Sequence, residues 1–458
     1  MRAPAIAQVE GRPRLEVRDD AVRGRGLFAV DAITADTVIL QDTPIAVGSM
    51  DPPEMACSVC KRFVGSVQLQ LHVLAQQFSV ASQKCSSKAD GMVSLPDKLS
   101  DPSLPQVPAH SAAYVTRHPT ATTPSIVCSE QCRDILLAPP KHIFGPDFRG
   151  DMADFETEHL VLVAALMATI LHRLTLSPSW AEATADMLLL AAPAPLPPLD
   201  AAAFRFLLSY FTRPTTEASP ALDVFCTHMT HDMARSLLGV VQANAVGVNV
   251  PSPIVRYFAA CEEDGALKLA VAQQATPLVE AALQVLCDDE SEDDEASEDD
   301  EASEDDESED DKEDTRRPAA KHVPETEEGD DDDDESIRFE WPAVATGDDD
   351  ASDDDEPLTF TSDAFPDSTG MALFPVFSML NHSCAPNCTV TYVDDTRVTV
   401  FATAPIASGD ELTISYIERE QPRAARQADL KTRYGFVCTC PRCLGEGTTK
   451  KKKRKRQT

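Results

Sequence analysis

With 458 residues the chain is long enough for two or three compact units and a sizeable core. Its formal charge of −36 is local: 37 acidic and 5 basic residues lie between Asp288 and Glu356, which leaves about −4 and an ordinary globular surface for the rest. The 13 cysteines fall in short C-x-C, C-x2-C and C-x3-C spacings, and Met1 to Pro13 lacks the apolar stretch of a secretory signal, so reduced thiols and zinc are expected instead of a disulfide framework.

Leu15 to Arg18 opens a strand, and Arg23 to Val30 continues into a second, with Gly24 and Gly26 flanking Arg25. Two glycines there allow the backbone to approach a ligand closely, or make a plain tight turn. Thr37 to Leu40 and Pro44 to Val47 read as further strands. Cys57-x2-Cys60 and Cys128-x3-Cys132 follow, separated by a polar Ser/Pro-rich stretch without periodicity from Ser79 to Thr123, in which Cys85 stands alone.

From Asp154 to Leu176 apolar residues recur at helical spacing, with Glu156 and Glu158 near the start and His172 and Arg173 near the end. Its apolar run, Leu160 to Leu171, is too short to span a bilayer and reads as a buried helix. Thr184 to Leu190 and Ala202 to Phe211 read as helices separated by the Pro193–Pro198 breaker, and Ala221 to Leu238 continues the pattern. Gln242 to Val250 reads as an apolar, glycine-containing turn carrying Asn244. Asp288 to Glu356, with Ser-Glu-Asp-Asp repeats starting at Ser291, Ser297, Ser303 and Ser308, holds too little apolar surface to offset ordering entropy and is expected to be disordered.

The chemistry concentrates near the C-terminus. Asn381, His382, Ser383 and Cys384 sit between the apolar run Leu373–Leu380 and a Pro386-Asn387 turn, followed by strand-like stretches at Thr389–Tyr392 and Arg397–Ala402. Polar groups packed against an apolar run are costly unless each has a partner or a task. A turn at Ala407–Asp410 leads into Glu411-Leu412-Thr413-Ile414-Ser415-Tyr416, and Cys438, Cys440 and Cys443 follow at C-x-C-x2-C spacing. Three thiols are one short of a tetrahedral zinc site, and Cys384 is the natural fourth ligand.

Taken in order, NHSC-x-PN, EL-x3-Y and the cysteine cluster resemble the catalytic half of a SET-domain protein methyltransferase. The GRGLFA stretch resembles the N-terminal half of that domain. The two earlier cysteine pairs resemble the first zinc site of a MYND finger whose second site is lacking, as in the SMYD branch with a degenerate finger and no C-terminal helical domain. The resemblance implies an α+β fold, β-rich in its catalytic core, with a pseudoknot, an inserted zinc finger and a helical insert. It divides the chain into an N-terminal SET part (15–50), a degenerate finger (55–135), a helical insert (151–240), a catalytic core (241–287 with 357–420), a disordered acidic insert (288–356), a post-SET segment (421–446) and a basic tail (447–458).

By the same resemblance, Gly24, Arg25, Gly26, Asn244, Asn381, His382, Tyr416 and Phe436 hold S-adenosylmethionine, and Tyr416 is the catalytic residue beside the transferring methyl. Two zinc ions are implied, one on Cys384, Cys438, Cys440 and Cys443, the other on Cys57, Cys60, Cys128 and Cys132. The implied activity is methyl transfer to lysines of a basic protein such as a histone or a ribosomal protein. The other reading is a non-catalytic acidic adaptor that binds basic chromatin or ribosomal proteins. Lys450 to Arg456 resembles a nuclear import signal more than a nucleic-acid site. The expected protein is a monomer of the nucleus or cytoplasm, with no membrane or direct nucleic-acid partner.

Overall fold

The structure, a computed structural model, describes residues 11–20, 24–51, 56–76, 93–94, 114–116, 125–137, 158–295, 336–342 and 357–446, with short breaks at 191, 193, 213–218, 366 and 394. The expectations for Cys85, most of the Ser/Pro-rich stretch, most of the acidic repeats and the basic tail lie outside the described residues.

The N-terminal strands are β1 (Leu15–Asp20), β2 (Gly24–Ala29), β3 (Val38–Asp42) and β4 (Ala46–Asp51). The finger region contributes α1 (Val67–Leu74), β5 (Val93–Ser94), β6 (Tyr114–Thr116), β7 (Ser125–Val127) and α2 (Glu130–Leu137). Helices follow as α3 (Glu158–Leu176), α4 (Trp180–Thr184), α5 (Ala201–Phe211), α6 (Pro220–His228) and α7 (His231–Asn244). Then come β8 (Val246–Val250), α8 (Pro253–Glu263), α9 (Gly265–Glu295), β9 (Arg338–Trp341), β10 (Leu358–Thr361) and β11 (Ser368–Leu373). The C-terminal region supplies β12 (Asn381–His382), β13 (Cys388–Thr391), β14 (Val398–Ala402), β15 (Thr413–Ile414) and α10 (Arg423–Tyr434). The class is α+β.

Small sheets join distant parts of the chain. β11 lies between β4 and β8, and β14 between β3 and β13, all antiparallel. β3 and β4 thus complete sheets whose other members lie about two hundred residues or more downstream. β12 and β15 pair in parallel, Asn381 opposite Thr413 and His382 opposite Ile414. The helix α3 packs on β4, with Leu162 over Gly48: a Cβ there would sit at ordinary contact distance, 3.7 Å from the Leu162 Cβ and 3.4 Å from the Met371 carbonyl. Among the described residues α3 is the one helix long and apolar enough to cross a membrane; its Leu160, Leu162, Val163, Leu166, Met167 and Ile170 are buried in the main core instead.

Three expectations are corrected. The helix at Thr184–Leu190 lies earlier, at Trp180–Thr184, because the Ser179 hydroxyl accepts the Glu182 N–H and fixes the start there. The Ala221–Leu238 pattern is two helices, broken at Met229 because the Thr230 hydroxyl caps the second by accepting the Met233 N–H. The acidic stretch 288–356 is not structureless throughout. α9 runs to Glu295, and Arg338–Trp341 pairs with Leu358–Thr361. Phe339 and Trp341 are 0% and 1% exposed in a second core with Tyr257, Phe258, Phe360 and Phe365. Phe258 is its hub, with ring centroids 5.0 Å from Trp341 and 5.1 Å from Phe360. Alternation of Phe339 and Trp341 with Arg338 and Glu340 gives the strand one buried face, which outweighs the surrounding charge.

Candidate active site

The segment before the NHSC residues is fixed from two sides. The Asp42 carboxylate, at the end of β3, accepts the Val376 and Phe377 N–H groups at 2.9 and 2.8 Å and so caps the short turn Phe377–Met379. Burial pushes the Asp42 pKa up, while these N–H groups favour its charged form. From the other side, the Ser378 hydroxyl donates to the Asn244 carbonyl at 2.9 Å. Asn244 closes α7, and its own side chain donates to the Val240 carbonyl. The stretch read from sequence as a turn is therefore the end of a helix and the strand β8.

Asn381 is oriented by two acceptors. Its Nδ2 donates to the Arg25 carbonyl at 3.1 Å and to Glu411 Oε1 at 2.7 Å, so the amide oxygen faces away from both. Gly26 makes this approach possible: a Cβ there would lie 2.6 Å from Glu411 Oε1 and 3.0 Å from Asn381 Nδ2. Gly24 has a different task, opening β2 opposite Asp20 at φ +75°, a backbone conformation that favours glycine. The β2 backbone continues along the 410–412 segment, Leu412 N–H donating to Leu27 and Ala29 N–H to Asp410. Asn387 completes the frame, donating to the Glu411 carbonyl and accepting the Thr413 N–H at 2.8 Å.

His382 connects two halves of the site. Its Nδ1 accepts the Tyr416 N–H at 3.0 Å, so Nε2 carries the proton and faces Cys384 Sγ at 3.3 Å. Tyr416 is buried, and its hydroxyl donates to the Leu380 carbonyl. Tyr434, the last residue of α10, donates its hydroxyl to the Tyr416 carbonyl at 3.1 Å, with ring centroids 5.1 Å apart. Gly435, at φ +75°, ends that helix and returns the Phe436 N–H to the Leu430 carbonyl. Phe436, 37% exposed, then stands 6.1 Å from the His382 ring and 6.4 Å from Tyr434. The result is an aromatic wall with one solvent-facing ring.

Both cysteine sets converge. The sulfurs of Cys384, Cys438, Cys440 and Cys443 lie within 4.8 Å of one another, all four residues buried, and those of Cys57, Cys60, Cys128 and Cys132 do the same. Hydrogen bonding from Cys384 draws the Cys438 thiol down to about 3, while Cys384 and Cys443 are pushed up. In the other set neighbouring thiols pull Cys57 down and push Cys60 up. Crowded sulfurs cannot all ionise unless a cation neutralises them, and four sulfurs at this spacing fit Zn2+. Cys388, buried with its thiol pushed up to about 12, stands outside both sets.

Thus Arg25, Gly26, Asn381, His382, Tyr416 and Phe436 come together around β12 and β15, Gly24 lies one residue before Arg25 at the start of β2, and Asn244 braces the site from behind through its backbone. Glu411, Asn387 and Asp42 carry positioning roles that the spacing of motifs did not reveal. Tyr434 carried a signal, as a tyrosine two residues before Phe436.

The SET domain family matches residues 270–417. The N-terminal strands lie outside that match, yet β3 and β4 pair with β14 and β11 inside it. The chain therefore contains a SET domain. It is similar to SET and MYND domain-containing proteins: one from Dictyostelium discoideum is 48% identical over 80 residues, 18% of this chain and 20% of the relative. The histone-lysine N-methyltransferase ASHR1 of Arabidopsis thaliana is 42% identical over 78 residues, 17% and 16% of the two chains. The human protein-lysine N-trimethyltransferase SMYD5 is 38% identical over 86 residues, 18% and 21%. The chain spans about a fifth of the length of these curated relatives.

Proposed function

We propose that the protein is an S-adenosylmethionine-dependent protein-lysine methyltransferase acting on a basic protein. The observation that carries this reading is the junction at which Tyr416 donates to the Leu380 carbonyl while His382 holds its backbone and Tyr434 stands beside its ring. S-adenosylmethionine supplies a methyl group on a sulfonium sulfur, which an amine displaces in line. Because the Tyr416 hydroxyl donates its hydrogen bond to the Leu380 carbonyl, its oxygen would present lone pairs to the polarised methyl and the incoming amine. Asn381, its Nδ2 already engaged, would offer its oxygen to the α-ammonium of the donor. Gly24, Arg25 and Gly26 would support the same end, Asn244 braces the segment, and Phe436 with the His382 backbone would cover the adenine.

The amine must arrive neutral. At an ordinary lysine pKa near 10.4 only about one in a few thousand is neutral at pH 7, and the buried Tyr416 ring with the half-buried Tyr434 ring favours that form by excluding water. The acidic stretch, with a net charge of −32 between Asp288 and Glu356, suits a basic partner such as a histone or ribosomal protein. Incubation with methyl-labelled S-adenosylmethionine and cell lysate, followed by hydrolysis and amino-acid analysis, should yield methyllysine in a basic protein. Label recovered in methylarginine, or none above a heat-killed control, refutes the assignment.

A further inference from the structure

Each cysteine cluster has a buried arginine nitrogen against it. Arg426, on α10, is 1% exposed. Its Nη1 donates to the Gln421 carbonyl and its Nη2 to Glu446 at 2.9 Å, but its Nε is buried without a hydrogen-bond partner. The guanidinium lies beside Cys384 and Cys443; burial works against its charge, and the two sulfurs together with Glu446 restore it. The finger repeats the arrangement. Arg62 Nη2 donates to Asp395 at 3.0 Å, its Nε is likewise buried and unpartnered, and Cys60 and Cys128 act on its charge.

A buried guanidinium with an unused N–H is costly unless negative charge lies next to it. The Gln421 carbonyl and Glu446 occupy the two Nη groups of Arg426, Asp395 occupies one of Arg62, and the Nε–H of each is left without an acceptor while cluster sulfurs act on its charge. Four thiolates on one Zn2+ carry a net charge of −2, and their sulfurs accept N–H donors. We propose that Arg426 and Arg62 are the built-in countercharges of the two zinc–thiolate centres, each donating its Nε–H toward metal-bound sulfur while its outer edge ties the cluster to a neighbouring element. For Arg426 that element is the 441–446 segment through Glu446; for Arg62 it is the β13–β14 hairpin through Asp395. Arg62 has a third of its side chain exposed, so the stronger effect falls on the C-terminal cluster. The inference rests on the reading that both clusters hold zinc.

The test uses the full chain as purified, with zinc content measured first. The protein is then exposed to a fixed excess of EDTA and N-ethylmaleimide, and alkylation of the eight cysteines is followed peptide by peptide. Arg426→Met should speed alkylation of Cys384, Cys438, Cys440 and Cys443 by about 10- to 100-fold and leave the finger cysteines at wild-type rates. Arg62→Met should do the reverse, with a smaller factor, and Arg→Lys at either position should recover part of the protection. Glu446→Gln and Asp395→Asn separate a countercharge from a plain ion pair. A countercharge keeps zinc at least as well without its carboxylate, whereas an ion pair that only holds the fold loosens as much as the arginine variants. Unchanged rates in both Arg→Met variants, or carboxylate variants as leaky as they are, overturn the proposal. A preparation without zinc overturns the metal reading beneath it.

Discussion

The two cysteine clusters use the same four donors, and their surroundings give them different roles. The C-terminal set takes Cys384 from the NHSC motif itself, and His382, two residues earlier, connects that sulfur to the Tyr416 backbone. The finger set closes around its own small core of Val64, Leu69, Ile126, Val127 and Leu136, and an ion pair, Arg62 to Asp395, joins it to the catalytic sheet. One cluster is part of the site's geometry, and the other holds a module beside it. Ligand identity alone does not distinguish them; the second neighbour of each sulfur does.

The largest effect expected from this contrast is on turnover. Cys443→Ser should remove one zinc, lower thermal stability and reduce methyl transfer by at least about a hundredfold, since metal binding and folding are coupled there. Cys60→Ser should remove the other zinc and leave turnover on a short peptide within about threefold, because the disturbance stays in the finger. Equal loss in both variants, measured by metal content and steady-state rates, would erase the distinction.

A stability effect comes next. The second core contacts the finger through Val67 and Leu71 of α1, and Trp341 fills it from a strand inside the acidic stretch. Trp341→Ala should cost about 3–5 kcal/mol in urea unfolding, a loss comparable to other large-to-small core changes. Gly26→Ala is smaller in scale and sits on the catalytic side. The added Cβ meets Glu411 and Asn381, so about 1–3 kcal/mol of strain should appear as weaker S-adenosylmethionine binding by calorimetry, with the finger zinc retained. The smallest effect is electrostatic. Deleting 296–335 spares α9 and β9, and at low salt it should raise KM for a basic protein severalfold while leaving a short neutral peptide unaffected. A KM that falls instead would mark the acidic stretch as a competitor for the substrate.

Much of the site was legible because its chemistry demands particular residues at particular spacings. Three thiols at C-x-C-x2-C need a fourth, and an Asn-His pair against an apolar run needs partners; the structure supplies both. Long-range pairing was not legible. Nothing local tells that Asp42 caps a turn 335 positions later, that β3 borders β14, or that Arg426 faces Cys384. Gly26 was legible as special but for another reason, since its missing side chain makes room for Glu411 and Asn381. The strand at Arg338–Trp341 was hidden by its surroundings: composition averaged over the acidic stretch masks four residues whose buried face decides their structure.

The central claim is that Tyr416 faces the reacting atoms while its neighbours hold the donor. Tyr416→Phe removes one oxygen and should leave the ring contacts with Tyr434 and His382 in place. Single-turnover methyl transfer on a preloaded complex, with S-adenosylmethionine affinity measured on the same sample, tests it directly. The account predicts transfer slowed by about 100- to 1,000-fold with binding within about threefold of wild type. Wild-type transfer by the variant would contradict it and move the chemistry elsewhere.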